Sequence, residues 1–86
     1  MAYQVILPRP VKKQLDDLPP TVRNRVAVAV ADLADDPRPH GCKKLKGDLG
    51  WSLRVGDYRV IYDIDDRLRL VIVGWIGLRK DAYRGN

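Results

Sequence analysis

Val55-Gly56-Asp57-Tyr58 sits between two stretches that alternate apolar and polar residues. On one side Trp51, Leu53 and Val55 alternate with Ser52 and Arg54. On the other Tyr58, Val60, Tyr62 and Ile64 alternate with Arg59, Ile61 and Asp63. Two central residues with glycine first predict a type II′ hairpin. That turn pairs Val55 with Tyr58 and sets Arg54 directly opposite Arg59, on the face away from Leu53 and Val60. Like charges facing each other across a strand pair destabilise it. An anion seated between them removes the conflict; two solvated arginines splayed apart are the other reading.

Outward from the hairpin, Leu70–Leu78 is an uncharged apolar run that reads as a central strand. The turn before it admits two registers. A two-residue loop at Asp65-Asp66 sets Asp63 opposite Leu68. A three-residue loop, Asp65-Asp66-Arg67, pairs Leu68 with Ile64, Arg69 with Asp63 and Leu70 with Tyr62. The second matches apolar with apolar and opposite charges with each other, so it is the expected one. It carries Arg69, Val71, Val73, Trp75 and Arg79 to the face of Arg54 and Arg59. Tyr83, four residues beyond Arg79, is close enough to return over that surface.

Toward the N-terminus, Tyr3–Leu7 is β-rich and stops at Pro8. Val11, Leu15 and Leu18 form a helical stripe that ends at Pro19-Pro20. Val22, Val26, Ala29, Val30 and Leu33 form a second apolar face. It starts either with Thr21 as N-cap or with Pro20 as first helical residue, and it closes at Asp35-Asp36-Pro37. The expected fold is α+β in the order β-α-α-β-β-β(-β), an antiparallel sheet with a two-helix hairpin packed on one face. With 86 residues and no linker or repeat, residues 1–86 form a single domain.

The chain holds 16 Lys+Arg against 11 Asp+Glu, every acid being Asp, for a net charge of +5. The excess lies in residues 42–86, where arginine predominates, so an anionic partner, nucleic acid first, is expected. A soluble, mildly basic surface is the other reading of the charge. The apolar runs are too short to span a membrane. Met1–Gln4 lacks a basic n-region and a cleavage site, so no export signal is expected. One cysteine, Cys42, forms no internal disulfide and fits a reducing cytoplasm. One Cys with one His builds no nitrogen–sulfur zinc site.

Lys43, Lys44 and Lys46 extend the arginines into a basic track for a phosphate backbone. Trp75 and Tyr83 have faces on which bases stack, although each is also an ordinary packing residue. RNA cleavage by the neighbouring 2′-OH needs a base, an acid and stabilisation of a phosphorane-like charge. Arginines supply the last. Tyr83 is the candidate proton-transfer group, its phenol near pKa 10 being a weak base at neutral pH. His40, in Pro37-Arg38-Pro39-His40-Gly41, reads as a surface loop residue. Asp63, Asp65 and Asp66 read as turn chemistry in preference to a Mg²⁺ site, so no metal or other cofactor is expected.

Asp36–Gly41, Lys43-Lys44-Leu45-Lys46-Gly47, Leu53–Tyr62 and Arg79–Arg84 together resemble the RelE/ParE toxin superfamily, in its RelE-like branch. The Val-Gly-Asp-Tyr-Arg-Val-Ile-Tyr run is the most specific part, and the resemblance covers essentially the whole chain. It implies a small cytoplasmic toxin of a type II toxin–antitoxin module. Such a toxin enters the A site of the 70S ribosome, cuts mRNA there without a metal and inhibits translation. It also implies neutralisation by a cognate antitoxin, RelB-like or other, and contact with operator DNA only through that antitoxin. Carried over by motif, Arg54, Arg59, Arg79 and Tyr83 are the catalytic set, and Lys43, Lys44 and Lys46 the RNA-binding stretch; Trp75 joins the latter from the strand register alone. Leu78 stands where many relatives carry His, and Ser52 where some carry Lys. The other activities open to such a chain are ParE-like poisoning of DNA gyrase without cleavage, and a binding-only role in operon control with the antitoxin.

Overall fold

The computed structural model describes residues 2–81. Strand β1, Gln4–Ile6, leads at Pro8 into helix α1, Arg9–Asp16, and α2, Pro20–Asp32, follows. Both helices begin with proline in the first turn, where its missing N–H costs nothing. For α2 this selects the Pro20 start, with Pro19 as the capping residue. Strands β2 (Lys43–Lys44), β3 (Trp51–Val55), β4 (Tyr58–Asp65) and β5 (Leu70–Leu78) then form a meander, and a short 3₁₀ turn, Arg79–Asp81, follows.

The five strands lie in the order β1-β5-β4-β3-β2. The sheet is mixed, which corrects the expected antiparallel one: β1 runs parallel to β5, pairing Gln4 with Leu70 and Ile6 with Ile72. Hairpin turns force antiparallel neighbours only among β2–β5. The two helices between β1 and the meander form the long crossover that a parallel pair requires.

One core joins both helices to one face of the sheet. Val11 and Leu15 of α1, Val26 and Val30 of α2, and Leu33 pack with Leu53, Val60, Tyr62, Val71, Val73 and Ile76. The Tyr62 hydroxyl, buried with its ring, donates to the Pro37 carbonyl at 2.8 Å, and burial pushes its pKa up.

The β4–β5 register departs from the expected one. Asp65 pairs with Leu70, Ile64 with Val71 and Tyr62 with Val73. The offset is three residues, an odd number, so Val71 and Val73 turn into the core instead of joining the arginine face. Burying an aliphatic side chain is worth about 1.5–3 kcal/mol. An exposed cross-strand ion pair such as Asp63–Arg69 is worth about 0.2–1 kcal/mol, so burial decides. Gly74 is then an extra residue between the pairs Tyr62–Val73 and Ile61–Trp75, a β-bulge. It restores the parity: Ile76 enters the core, while Trp75 and Gly77 share the face of Arg59. The Ile76 N–H beside the bulge donates to Gln14 Oε1 of α1 at 3.0 Å.

Arg69 accordingly sits in the turn, at φ 57°, its guanidinium 5.8 Å from the Tyr3 ring centre. Asp65 Oδ1 accepts from the Leu68 N–H at 2.8 Å, which is turn chemistry as expected. Asp66 does more. It takes a two-pronged contact from Arg38, at 3.2 and 2.8 Å, and a hydrogen bond from the Tyr3 hydroxyl at 2.6 Å. Arg38 lies over the Trp51 ring at 5.0 Å. The β4–β5 turn, the loop after α2 and the residue before β1 are clasped together.

Two expectations follow. Gly50 has φ +89°, and a Cβ there would overlap the Tyr62 carbonyl oxygen. Gly50→Ala should therefore lose about 1–3 kcal/mol in urea unfolding. The hydrogen bonds from Arg38 and then Tyr3 hold the Asp66 carboxyl at about 2, below the unfolded value. A lowered carboxylate pKa stabilises the fold above the unfolded pKa of about 3.9, and the contribution vanishes as pH falls through about 2. A carboxyl-carbon NMR titration should show the low midpoint, and Arg38→Ala should move it upward.

Candidate functional site

The Gly56-Asp57 turn has its expected form. Val55 pairs with Tyr58, Arg54 with Arg59, and Gly56 has φ +60°. The end of β5 is tied to this turn, because Tyr58 pairs with Leu78 and the Arg79 N–H donates to the Asp57 carbonyl at 2.8 Å. Two segments 20 residues apart in sequence thus bring Arg79 to Arg59.

Gly41, Lys43, Ser52, Arg54, Arg59 and Arg79 line a cleft of about 310 Å³. Four cations converge there and no carboxylate is among those residues. Asp57, Arg59, Leu78, Arg79 and Lys80 line an adjoining cleft of about 570 Å³. Arg59 and Arg79 are the wall between them. Arg54 Nε donates to the Gly56 carbonyl at 3.1 Å, curling the exposed side chain back over the turn. Arg59 is half-buried, and its Nη1 donates to Ser52 Oγ at 3.0 Å. Cations gathered against a low-dielectric wall attract an anion strongly, and guanidinium forks suit phosphate oxygens.

Of the expected site residues, Arg54, Arg59, Arg79 and Lys43 meet in one cleft. Lys44 does not join them: it lies opposite Trp51, with Nζ 5.4 Å from that ring. Successive residues of β2 face opposite ways, so Lys43 and Lys44 part company. Lys46 is exposed in the β2–β3 loop and lines neither cleft. Trp75 shares the face of Arg59 but lies against Gly77, where a Cβ would come within 2.6 Å of its ring. Arg69 and its neighbours Val71 and Val73 lie away from the arginine face, as described above. Tyr83 lies outside the described residues. His40 is an exposed loop residue. Among the described residues, no three His, Cys, Asp or Glu side chains gather where they could hold a metal ion, and no helix is long and apolar enough to cross a membrane.

Sequence reasoning treated Ser52 only as a departure from relatives and did not single out Gly41 or Lys80. The signal for Ser52 was present: it shares the two-residue period of Arg54 and so must stand beside Arg59.

The protein is a small α+β domain with a cationic cleft on one face of its sheet. Residues 5–83 match the family described as the ParE toxin of type II toxin–antitoxin systems, parDE. The chain is 34% identical to Toxin RelG of Mycobacterium tuberculosis, over 98% of this chain and 99% of that one. It is 33% identical to putative toxin RelE1 of Methanocaldococcus jannaschii, over 98% of each. The archaeal RelE–RelB complex from Pyrococcus horikoshii contains a chain with the same fold, at TM-score 0.82 and 28% identity, covering 95% of this chain and all of that one. The protein belongs to the RelE/ParE superfamily of type II toxins.

The Arg54–Arg59 pair generates a stability prediction. Arg54→Thr should raise folding stability by about 0.2–1 kcal/mol at low ionic strength, through removal of the like-charge contact. The gain should shrink in 1 M salt, where the Debye length is about 3 Å. Parallel urea melts at the two salt concentrations measure it.

Proposed function

We propose that the protein is a ribosome-dependent, metal-independent mRNA endonuclease, cutting in the A site and so inhibiting translation. The observation that carries this reading is the convergence of Lys43, Arg54, Arg59 and Arg79 on one cleft with no carboxylate among its described lining residues. In such cleavage the 2′-OH loses its proton and attacks the adjacent phosphorus, charge accumulates on the non-bridging oxygens, and the P–O5′ bond breaks to leave a 2′,3′-cyclic phosphate and a 5′-hydroxyl that has taken up a proton. Fixed guanidinium groups stabilise that charge more than they stabilise the starting diester. Arginine stays protonated and serves as a clamp, not as a base. Tyr83 is assigned proton transfer by its place in the family motif. With no strong base in the cleft, the ribosome has to orient the 2′-OH, a proximity effect. Lys44 and Lys46 would then contact RNA outside the cleft, and Trp75 would flank it.

The family match and the solved RelE–RelB relative support a cognate antitoxin as the partner in the cytoplasm, with operator DNA reached through it. An acidic antitoxin segment suits the cationic cleft, charge mainly speeding association. A second reading, ParE-like poisoning of DNA gyrase, draws on the family match, on Leu78 in the histidine position and on Ser52 in the lysine position.

Primer extension on ribosome-bound mRNA after induction separates the two. Cuts within A-site codons support the nuclease, whereas growth arrest with intact mRNA and DNA damage supports the gyrase poison. Folded Arg59→Ala and Arg79→Ala variants should each lose about 10²–10³ in cleavage rate. Full activity in either refutes the site assignment.

A further inference from the structure

We infer that Ser52 is a positioning residue that aims the Arg59 guanidinium into the anion cleft; its effect on cleavage rate rests on the nuclease reading above. Ser52 is 3% exposed, although its sheet-face neighbours Lys43 and Arg54 are exposed. A buried hydroxyl is costly unless it is hydrogen-bonded. Alanine would fill nearly the same volume without that cost. The hydroxyl here accepts from Arg59 Nη1 at 3.0 Å, a charge-assisted bond on the wall of the cleft.

The chemistry of the acceptor matters. A carboxylate at this position would hold Arg59 equally well but cancel its charge. A lysine would repel it. A hydroxyl fixes one end of the guanidinium without adding a negative charge of its own. Arginine carries five N–H donors, and the contact to Ser52 engages only one of its nitrogens, Nη1. The long Arg59 side chain is therefore held in a rotamer it would otherwise have to find during the reaction. Ser52 itself, buried beneath the guanidinium, acts through Arg59.

The test uses Ser52→Ala, Ser52→Thr and Ser52→Cys in the full-length protein, the last keeping the shape with a much weaker acceptor. Arg59 guanidinium NMR reads the aim directly. Distinct Nη signals are expected in wild type and in Ser52→Thr, and averaged ones in Ser52→Ala and Ser52→Cys. Cleavage of ribosome-bound mRNA should fall about tenfold in kcat for Ser52→Ala, with KM nearly unchanged, and recover in Ser52→Thr. A short single-stranded RNA with 2′-O-methyl groups, which cannot be cut, is the binding probe. Its affinity should fall with Ser52→Ala in wild type but not further in Arg59→Ala, because Ser52 works through that side chain. Unchanged Arg59 signals overturn the inference. So does an affinity loss that persists undiminished in the Arg59→Ala background. If the wild type cuts nothing, the nuclease reading falls alone, and the NMR and binding arms still decide Ser52.

Discussion

Arg54 and Arg59 stand opposite each other one pair beyond a two-residue turn, a like-charge contact that the rest of the structure has to hold together. The turn leaves no freedom to slip, because Gly56 supplies the positive φ and Val55 must meet Tyr58. Arg79 and Lys43 add to the same sign of charge. Such a cluster cannot stabilise itself. It is tolerated because the other face of the same strands carries Leu53, Val60 and Tyr62 into the core, where each is at most 8% exposed. Packing on one face holds together what electrostatics on the other would separate.

The β-bulge at Gly74 reconciles the two faces. Val71 and Val73 have to meet Tyr62 and Ile64, and Ile76 has to meet Val60. A regular strand cannot satisfy both sets, since 73 and 76 differ by an odd number and would point opposite ways. One extra residue permits both. It also sends the strand end toward the hairpin turn, where the Arg79 N–H finds the Asp57 carbonyl. The cationic cleft is thus a consequence of core packing at a distance, and the bulge is the place where core and site constraints meet.

That coupling explains what could be read without coordinates. The β3–β4 hairpin was legible because turn chemistry and alternation agree there. The two helices were legible from apolar spacing and from their prolines. The β4–β5 register was not, because Asp63 and Arg69 offered a plausible charge pair. A glycine within an apolar run gives no sign that it is unpaired. Trp75 and Arg79 fell on the expected face only because two odd offsets cancelled. The parallel pairing of β1 was hidden for another reason: a connection through two helices leaves strand direction open. In the site, Arg54, Arg59 and Arg79 were visible as charges, whereas Ser52 was visible only as a gap in a motif. Its role lies in burial and in one hydrogen bond, neither of which composition records. Lys44 illustrates the converse, a charge that looks like part of the track but lies over Trp51.

Neutral oxygens tie the arginines of the cleft to the hairpin at three points. Arg54 is held by a backbone carbonyl, Arg59 by a hydroxyl, and the Arg79 backbone by another carbonyl. Elsewhere in the same domain Arg38 is held by a carboxylate, and that pair clasps a turn to a loop. The contrast separates two uses of arginine. Where the guanidinium is a strut, a carboxylate completes it and its charge is consumed within the protein. Where it lines the cleft, a neutral oxygen helps to orient it without adding a negative charge.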